Sequence, residues 1–208
     1  MSIFATPQRN EPSNDYGVKI LFLHGLEGSA SGAKAVSLQE KWGAMCPTIR
    51  TANLRELKEK CADNWDNATQ GQIDQAIKES LSDVTDAVRY MQPDIIVGSS
   101  LGGALLLKLY ASGQYSGPGV FLAPAIPNLI SDTEVAKAHS QLQENTTSWV
   151  LGELDTIVPN RPNIRLARLV GGNVIVTPND THRLEASRES GIIDAAILTC
   201  IELDVVDD

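Results

Sequence analysis

Short apolar runs recur along the chain and alternate with stretches in which apolar residues lie three or four positions apart. The run from Val18 to Leu23 is nearly continuous, which is typical of a strand covered on both faces. Apolar and polar residues alternate poorly in the run from Thr48 to Leu54, which is a weaker strand candidate. The predicted strands are 18–23, 48–54, the run that begins at 94, 119–123, 148–151 and 174–177.

Between these runs the spacing of apolar residues predicts helices. The longest has its apolar residues at positions 73, 77, 81, 84, 88 and 91, and Pro93 ends it. The other predicted helices are one with an apolar face at 35, 38 and 42 that stops near Gly43, and those at 104–111, 131–142, 164–170 and 192–201. Strands that alternate with helices predict parallel βαβ units. We therefore expect residues 18–208 to form one α/β domain, a three-layer sandwich with a mainly parallel sheet of about six strands.

Composition and charge narrow the possible partners. A net charge of −9 over 208 residues disfavours binding to nucleic acid or to an anionic membrane. No apolar run reaches about 18 residues, so no membrane span is predicted. Residues 1–17 are polar, lack the apolar core of a secretory signal and are predicted to be flexible. Together with three widely spaced cysteines, Cys46, Cys61 and Cys200, this favours a cytoplasmic protein with reduced thiols over disulfides or a zinc site.

The sequence Gly-Ser-Ser-Leu-Gly-Gly at 98–103 joins the apolar run from 94 to the apolar helix at 104–111. Its Gly-x-Ser-x-Gly frame predicts a strand, a sharp turn and a helix, with Ser100 at the turn. Glycine at 98 and 102 removes side chains that would collide with the strained backbone of such a turn. The helix directs its first N–H groups toward the serine, so the N–H of Leu101 is a candidate oxyanion donor. The alternative is that Ser99 and Ser100 form only a helix N-cap.

A serine nucleophile requires a base, and the chain has three histidines. His182 lies in a loop after the last predicted strand, where it can reach Ser100, and it is favoured over His24, which follows the first strand. His139 lies in a predicted helix, where a surface position is favoured. The base is therefore predicted to be His182.

The acid that orients the base is predicted from the strand before that of His182. Asp155 lies in the loop that follows this strand. Glu153 is closer to the strand end, and Asp180 is too near His182 in sequence to orient it easily. A plain turn or capping role for Asp155 is the alternative. Because ligands bind at the carboxyl ends of parallel strands, the candidate residues are expected to meet at one edge of the sheet.

In these motifs the chain resembles the α/β-hydrolase superfamily, and within it the small bacterial serine esterases with little or no cap domain. The resemblance runs from about Val18 to the C-terminus. It is carried by Leu-His-Gly-Leu at 23–26, the elbow at 98–103, Gly-Glu-Leu-Asp-Thr-Ile-Val-Pro at 152–159 and Thr-His at 181–182. The order serine, acid, histidine is the order of that superfamily.

The resemblance implies a serine hydrolase that cleaves carboxylic esters or thioesters through an acyl-enzyme formed by Ser100, Asp155 and His182. It implies that the N–H of Leu26 is the second oxyanion donor, beside that of Leu101, and that His24 has a structural role in that loop. The implied partner is a small-molecule acyl ester or thioester, with no metal or organic cofactor. A catalytically inert binding module of the same fold and an acyltransferase with the same triad remain open.

Two stretches bear on the shape of the predicted cleft. Only one short helix is predicted between Ala125 and Asn145, where relatives insert a lid, which implies an open, shallow cleft. The polar stretch from Arg55 to Gln72 contains a lone Trp65. This ring is either a cleft wall or a loop aromatic on the domain surface, and the second is favoured.

Overall fold

The computed structural model describes residues 14–204, and five parallel strands in this part of the chain form a sheet whose order follows the sequence. Residues 1–13 of the segment predicted to be flexible, and residues 205–208, lie outside the described part. The strands are β1 (Ile20–Leu23), β2 (Ile95–Ser99), β3 (Gly119–Leu122), β4 (Thr147–Gly152) and β5 (Asn173–Thr177). Each strand pairs with the next one in the chain.

The helices of the described part fill the connections between the strands. They are α1 (Ala33–Trp42), α2 (Ala52–Lys60), α3 (Gln70–Met91), α4 (Leu101–Ala111), α5 (Ile126–Leu129), α6 (Asp132–Glu144), α7 (Asn160–Leu169), α8 (Glu185–Glu189) and α9 (Ile192–Asp204), with a 3-10 turn at Trp65–Asn67. Among residues 14–204, every helix is too short or too polar to traverse a lipid bilayer.

Two helical layers cover the sheet, because successive strand residues point to opposite faces. Leu21, Ile96 and Trp149 belong to a core that includes residues of α3, α4, α6 and α7. Phe22 and Val120 belong to a second core, on the other face, with residues of α1 and α9. A sheet that proceeds in one direction with crossovers of one hand places the helices that lead into the next strand, α3, α4, α6 and α7, on the same face, while α1 packs on the other. The predicted three-layer α/β sandwich is confirmed.

The predicted sixth strand is absent from the sheet of the described part, and Thr48–Leu54 is wrong as a strand. This stretch runs as a loop into α2, whose buried Leu54 and Leu57 lie three residues apart, at helical spacing. The outer edge of β1 is instead covered by one residue, Met45. Its N–H donates to the Ile20 carbonyl, and its carbonyl accepts from the Phe22 N–H at 2.8 Å.

The other differences from the predicted elements are small. The apolar spacing does not predict α2, α5 or α8, and the last two have four and five residues, too few for a helical period to show. α1 ends at Gly43, which adopts the left-handed conformation with φ 63° that closes many helices. Asn14, at the start of the described part, donates to the carbonyls of Val18 and Trp42.

Candidate active site

Ser100 lies at a sharp turn between β2 and α4, with φ 53° and ψ −111°, a conformation that residues other than glycine rarely adopt. The turn brings α4 so close to the sheet that its glycines leave no room for side chains. A Cβ at residue 102 would lie 1.9 Å from the Leu23 carbonyl oxygen, and one at residue 98 would lie 2.6 Å from the Gly102 oxygen. The glycines that the motif contains are therefore required by the contact between α4 and the strands.

The structure brings Ser100, His182 and Asp155 into one hydrogen-bonded chain. The Ser100 Oγ lies 2.9 Å from His182 Nε2, and His182 Nδ1 lies 2.8 Å from Asp155 Oδ2. These residues are 82 and 27 positions apart in the sequence, and they follow β2, β5 and β4. The predicted residues thus meet at the carboxyl edge of the sheet.

Asp155 is held as a carboxylate. Its side chain is fully buried, and Oδ1 accepts from the N–H groups of Ile157 at 2.8 Å and Val158 at 2.9 Å. Burial raises the pKa of Asp155, but the bond from His182 and these two N–H groups outweigh it and lower the pKa below its ordinary value. A carboxylate only accepts hydrogen bonds, so Nδ1 of His182 carries the proton. Its Nε2 is then free to accept the proton of Ser100.

The competing candidates occupy other positions. Glu153 is exposed and accepts from the Asn179 N–H, while Asp180 is buried and accepts from Ser187 and Thr181. His139 lies partly exposed on α6. These residues do not enter the chain of hydrogen bonds at Ser100.

The two residues predicted to supply oxyanion donors lie beside Ser100. Leu101 is the first residue of α4, and Leu26 lies in the loop after β1; both line this cavity. Within residues 14–204, neither N–H has a hydrogen-bond acceptor. Gly25 permits the close approach of the loop, because a Cβ there would lie 3.2 Å from that of Ser100. The role of these two N–H groups as oxyanion donors stays a prediction.

His24 fixes the peptide that carries the Leu26 N–H. Its Nε2 accepts from the Ile49 N–H at 3.4 Å, so its Nδ1 carries the proton and donates to the Gly25 carbonyl at 2.9 Å. That carbonyl belongs to the same peptide as the Leu26 N–H and points the opposite way in the trans geometry. Burial lowers the pKa of His24, the Gly25 bond raises it and Arg55 lowers it. The net effect favours a neutral ring at neutral pH.

Arg55 is a second support of this loop, and sequence reasoning missed it. Its Nη2 and Nε donate to the Leu26 carbonyl at 2.8 and 3.2 Å. Arg55 lies on α2, the element that the sequence analysis does not predict, and the contact spans 29 residues. An arginine in a polar stretch gives no signal of such a contact.

The cavity at Ser100 has a volume of about 410 Å³ and is partly roofed. Trp65 lines it and packs against the hydrophobic core, so the surface position favoured for this ring is wrong. Leu129 of α5 lines the same side, and α5 contacts the 3-10 turn that carries Trp65. The spacing of apolar residues could not predict these two elements because each is too short. Within residues 14–204, no group of three or more His, Cys, Asp or Glu is arranged to hold a metal ion.

Comparison with protein-family models gives no match, and comparison with curated proteins gives none. Solved structures do match. Est1E from Butyrivibrio proteoclasticus is 14% identical, with 92% of this chain and 89% of that chain covered and a TM-score of 0.61. A bromoperoxidase from Bacillus anthracis is 11% identical, with coverages of 88% and 91% and a TM-score of 0.60.

A third similar structure is an alpha-beta serine hydrolase homologue from Coxiella burnetii, 14% identical, with coverages of 89% and 85% and a TM-score of 0.54. At these identities the likeness concerns the fold. The chain has the fold of the α/β-hydrolase superfamily, as its motifs predict.

Proposed function

We propose that the protein is a serine hydrolase that cleaves carboxylic esters or thioesters of small molecules. The observation that carries the proposal is the unbroken relay from the Asp155 carboxylate through the His182 ring to the Ser100 hydroxyl, with distances of 2.8 and 2.9 Å. A hydroxyl on a strained turn beside a correctly protonated imidazole is the arrangement that nucleophilic catalysis requires. Ferulic acid, a small carboxylic acid, is bound to Est1E in one of the similar structures.

In the first half of the reaction, Ser100 Oγ attacks the acyl carbonyl carbon while His182 Nε2 accepts its proton. The negative charge that forms on the carbonyl oxygen is stabilised by the N–H groups of Leu26 and Leu101 and by the positive end of α4. The Asp155 carboxylate stabilises the imidazolium. The proton then passes from His182 to the leaving alcohol or thiol as its bond to carbon breaks, which leaves an acyl-Ser100 ester.

In the second half, His182 takes a proton from a water molecule, whose oxygen attacks the acyl-enzyme. Collapse of the second tetrahedral intermediate returns the proton to Ser100 and releases the carboxylic acid. The protein's own groups supply the nucleophile, the base and the charge stabilisation. The same groups would serve an acyltransferase, in which another acceptor replaces water.

Replacement of the nucleophile tests the proposal. We expect Ser100→Ala to lower kcat for p-nitrophenyl acetate by about 10⁴-fold to 10⁶-fold, because the residues of such a relay act as one unit. A fluorophosphonate probe should label the parent at Ser100 and leave the variant unlabelled. Ser99→Ala is the matched control, since this neighbouring hydroxyl is buried on β2 and enters no relay.

The outcomes separate the three candidate functions. Hydrolysis by Ser100→Ala at the parental rate would refute the proposal. A parent that neither reacts with the probe nor cleaves any ester would be an inert binding module. An acyltransferase would be labelled, but product analysis would find the acyl group on an added alcohol or amine rather than on water.

A further inference from the structure

The cavity beside Ser100 has two walls of different chemistry. Trp65 and Leu129 lie in or against the core on the α4 face of the sheet and form an apolar wall. Lys34 of α1, Arg183 and Arg188 line the cavity where α1 and α8 approach it. A molecule with a net charge of −9 would repel anions from most of its surface. The lining also contains Lys58, Glu27 and Glu185, so four cations and two carboxylates give the cavity an excess of positive charge, opposite in sign to the net charge of the molecule.

Lys34 is one of the lining cations whose hydrogen bonding is incomplete. Its ammonium donates to the Arg183 carbonyl, and no carboxylate of residues 14–204 lies within ion-pair distance of it. An ammonium has three N–H donors, so two are left for a ligand or water. The pKa of Lys34 is lowered to about 8, because burial, together with the charges of Arg188 and Arg183, outweighs the carboxylates of Asp180 and Glu185, which raise it. A bound anion would favour the charged form.

The other charges at this wall are partly committed to protein partners. Arg188 donates to Glu189 at 2.8 Å, and the oxygens of Asp180 accept from Ser187 and Thr181. Arg183 makes no ion pair with any residue of 14–204, and its side chain is exposed beside the cavity. Among the cations that line the cavity, Lys34 and Arg183 are thus the two without an ion-pair partner in residues 14–204, because Arg188 pairs with Glu189 and Lys58 with Glu27.

We propose that Lys34 and Arg183 bind an anionic group, a carboxylate or a phosphate, on the leaving alcohol or thiol of the substrate. The inference rests on the proposed hydrolase function and narrows its substrate class. The first residues of α1 line the same wall, and Gly32 caps that helix without a side-chain hydrogen bond, so the positive end of the helix adds to the attraction.

The position of Lys34 assigns the anion to the leaving group. His182 returns a proton to the leaving atom, so that atom must lie within hydrogen-bond reach of its Nε2. Lys34 binds the carbonyl of Arg183, the residue next to His182, and adjacent Cα atoms are only about 3.8 Å apart. The leaving group therefore extends toward the cations, and the acyl group extends toward the apolar wall of Trp65 and Leu129.

A pair of matched esters tests this assignment. The acetate esters of 4-hydroxybenzoate and 4-hydroxybenzamide share an acyl group and differ in one charge on the leaving group. We expect Lys34→Met to lower the ratio of their kcat/KM values, anionic over neutral, by at least about tenfold, the effect of one lost charge-assisted hydrogen bond. The two esters differ in intrinsic reactivity, but this difference is the same for every protein and cancels when the ratio of the parent is compared with that of a variant. The acetate ester of 4-hydroxyphenyl phosphate distinguishes phosphate from carboxylate preference.

Three further variants make the test specific. Lys34→Arg keeps the positive charge, so its ratio of kcat/KM values, anionic over neutral ester, should stay close to that of the parent. Arg183→Gln removes a positive charge and should lower the ratio. Lys41→Met should leave the ratio unchanged, since Lys41 lies on the same helix but pairs with Asp194 outside the cavity. The rate with the neutral ester reports whether the loop of His182 is intact in each variant.

A binding measurement separates failure of the inference from failure of the proposed function. Calorimetry should show that 4-hydroxybenzoate binds the parent more tightly than 4-hydroxybenzamide and that Lys34→Met reduces the difference, with Arg183 accounting for what remains. A parent that cleaves no ester but shows this pattern would refute the hydrolase and retain the anion site. Equal binding of the two compounds, or a kcat/KM ratio unchanged in Lys34→Met, would overturn the inference.

Discussion

At the scale of single residues, one peptide plane links a buried histidine to the chemistry. The His24 ring holds the Gly25 carbonyl, and Arg55 holds the next carbonyl, that of Leu26. A hydrogen bond to a carbonyl also polarises the N–H of the same peptide, so the bond from His24 to the Gly25 carbonyl makes the Leu26 N–H a stronger donor. We therefore propose that His24 is a positioning residue for the predicted oxyanion donor at Leu26.

Replacement of the His24 ring nitrogens should lower kcat with little change in KM. We expect His24→Phe, which keeps a ring in the buried site, to lower kcat for p-nitrophenyl acetate by about 10-fold to 100-fold, less than the loss of a whole oxyanion donor. His139→Phe is the control and should match the parent, because His139 lies on α6 away from the cavity. A kcat within a factor of two of the parent at unchanged Tm would contradict the role.

The residues that the sequence predicts and those that it misses differ in how their signal arises. Ser100 and His182 carry a local signal, a motif or a place after a strand, and the fold brings them together. Arg55 and Lys34 act through contacts that span 29 and 149 residues, and nothing near them in the sequence marks those contacts. Charged residues in polar stretches are ordinarily solvated, so long-range roles are visible only in the structure.

At the scale of elements, the glycines of α4 set how closely this helix lies against β1. Gly102 has the Leu23 carbonyl where a Cβ would be, and the blocking atom belongs to the backbone of β1, an edge strand whose residues are buried. Overpacking of this kind displaces the helix or the strand. Because Ser100 caps this helix and Leu101 is its first residue, displacement would also move the proposed nucleophile and one proposed oxyanion donor.

A pair of glycine-to-alanine variants tests this close packing. We expect Gly102→Ala to lower the free energy of unfolding by about 3 kcal/mol or more, since the new methyl group would overlap backbone. Gly71→Ala is the matched control: its Cβ would meet nothing within 4 Å at the start of α3, so it should be neutral or stabilise by up to about 1 kcal/mol. Urea unfolding of both variants provides the measurement, and equal midpoints would contradict the argument.

Whether a segment forms a helix or a strand could be predicted where its pattern of apolar residues extends over enough positions. α3, with 22 residues, and the buried strand β2 are examples. Thr48–Leu54 was wrongly predicted as a strand because the stretch ends at Leu54. The helical spacing appears only with Leu57, three residues later. α5 and α8 are shorter than two helical periods and are held by their neighbours rather than by their own pattern.

At the scale of the whole molecule, two buried carboxylates near His182 make the stability of the folded protein depend on pH in acid. Asp180 is 4% exposed and joins the loop of His182 to α8 by accepting from the N–H and Oγ of Ser187 and from the Thr181 N–H. Burial raises the pKa of Asp180, but the bonds from Ser187 and Thr181 outweigh it and lower the pKa below its ordinary value. The pKa of Asp155, whose carboxylate accepts a hydrogen bond from His182, is also lowered.

The sign of the resulting pH dependence follows from proton binding. The unfolded chain holds the Asp180 proton up to a pH of about 4, whereas the folded protein releases it at a lower pH. In this window the unfolded state binds more protons, so stability rises with pH. The contribution of Asp180 is therefore complete above about pH 5 and is lost as the pH falls through the folded-state pKa.

Asp180→Asn should reveal this contribution as a stability difference that depends on pH. At pH 7 we expect the variant to unfold with about 1–3 kcal/mol less free energy than the parent, because the amide NH₂ cannot accept from Ser187. The difference should shrink below about pH 4, where Asp180 of the parent takes up its proton. Asp86→Asn, at an exposed position with one long contact to Arg89, should differ from the parent by less than about 0.5 kcal/mol. Unfolding by urea at pH 7, 5 and 3 measures the differences, and a gap between parent and Asp180→Asn that widens in acid would contradict the assignment of this carboxylate.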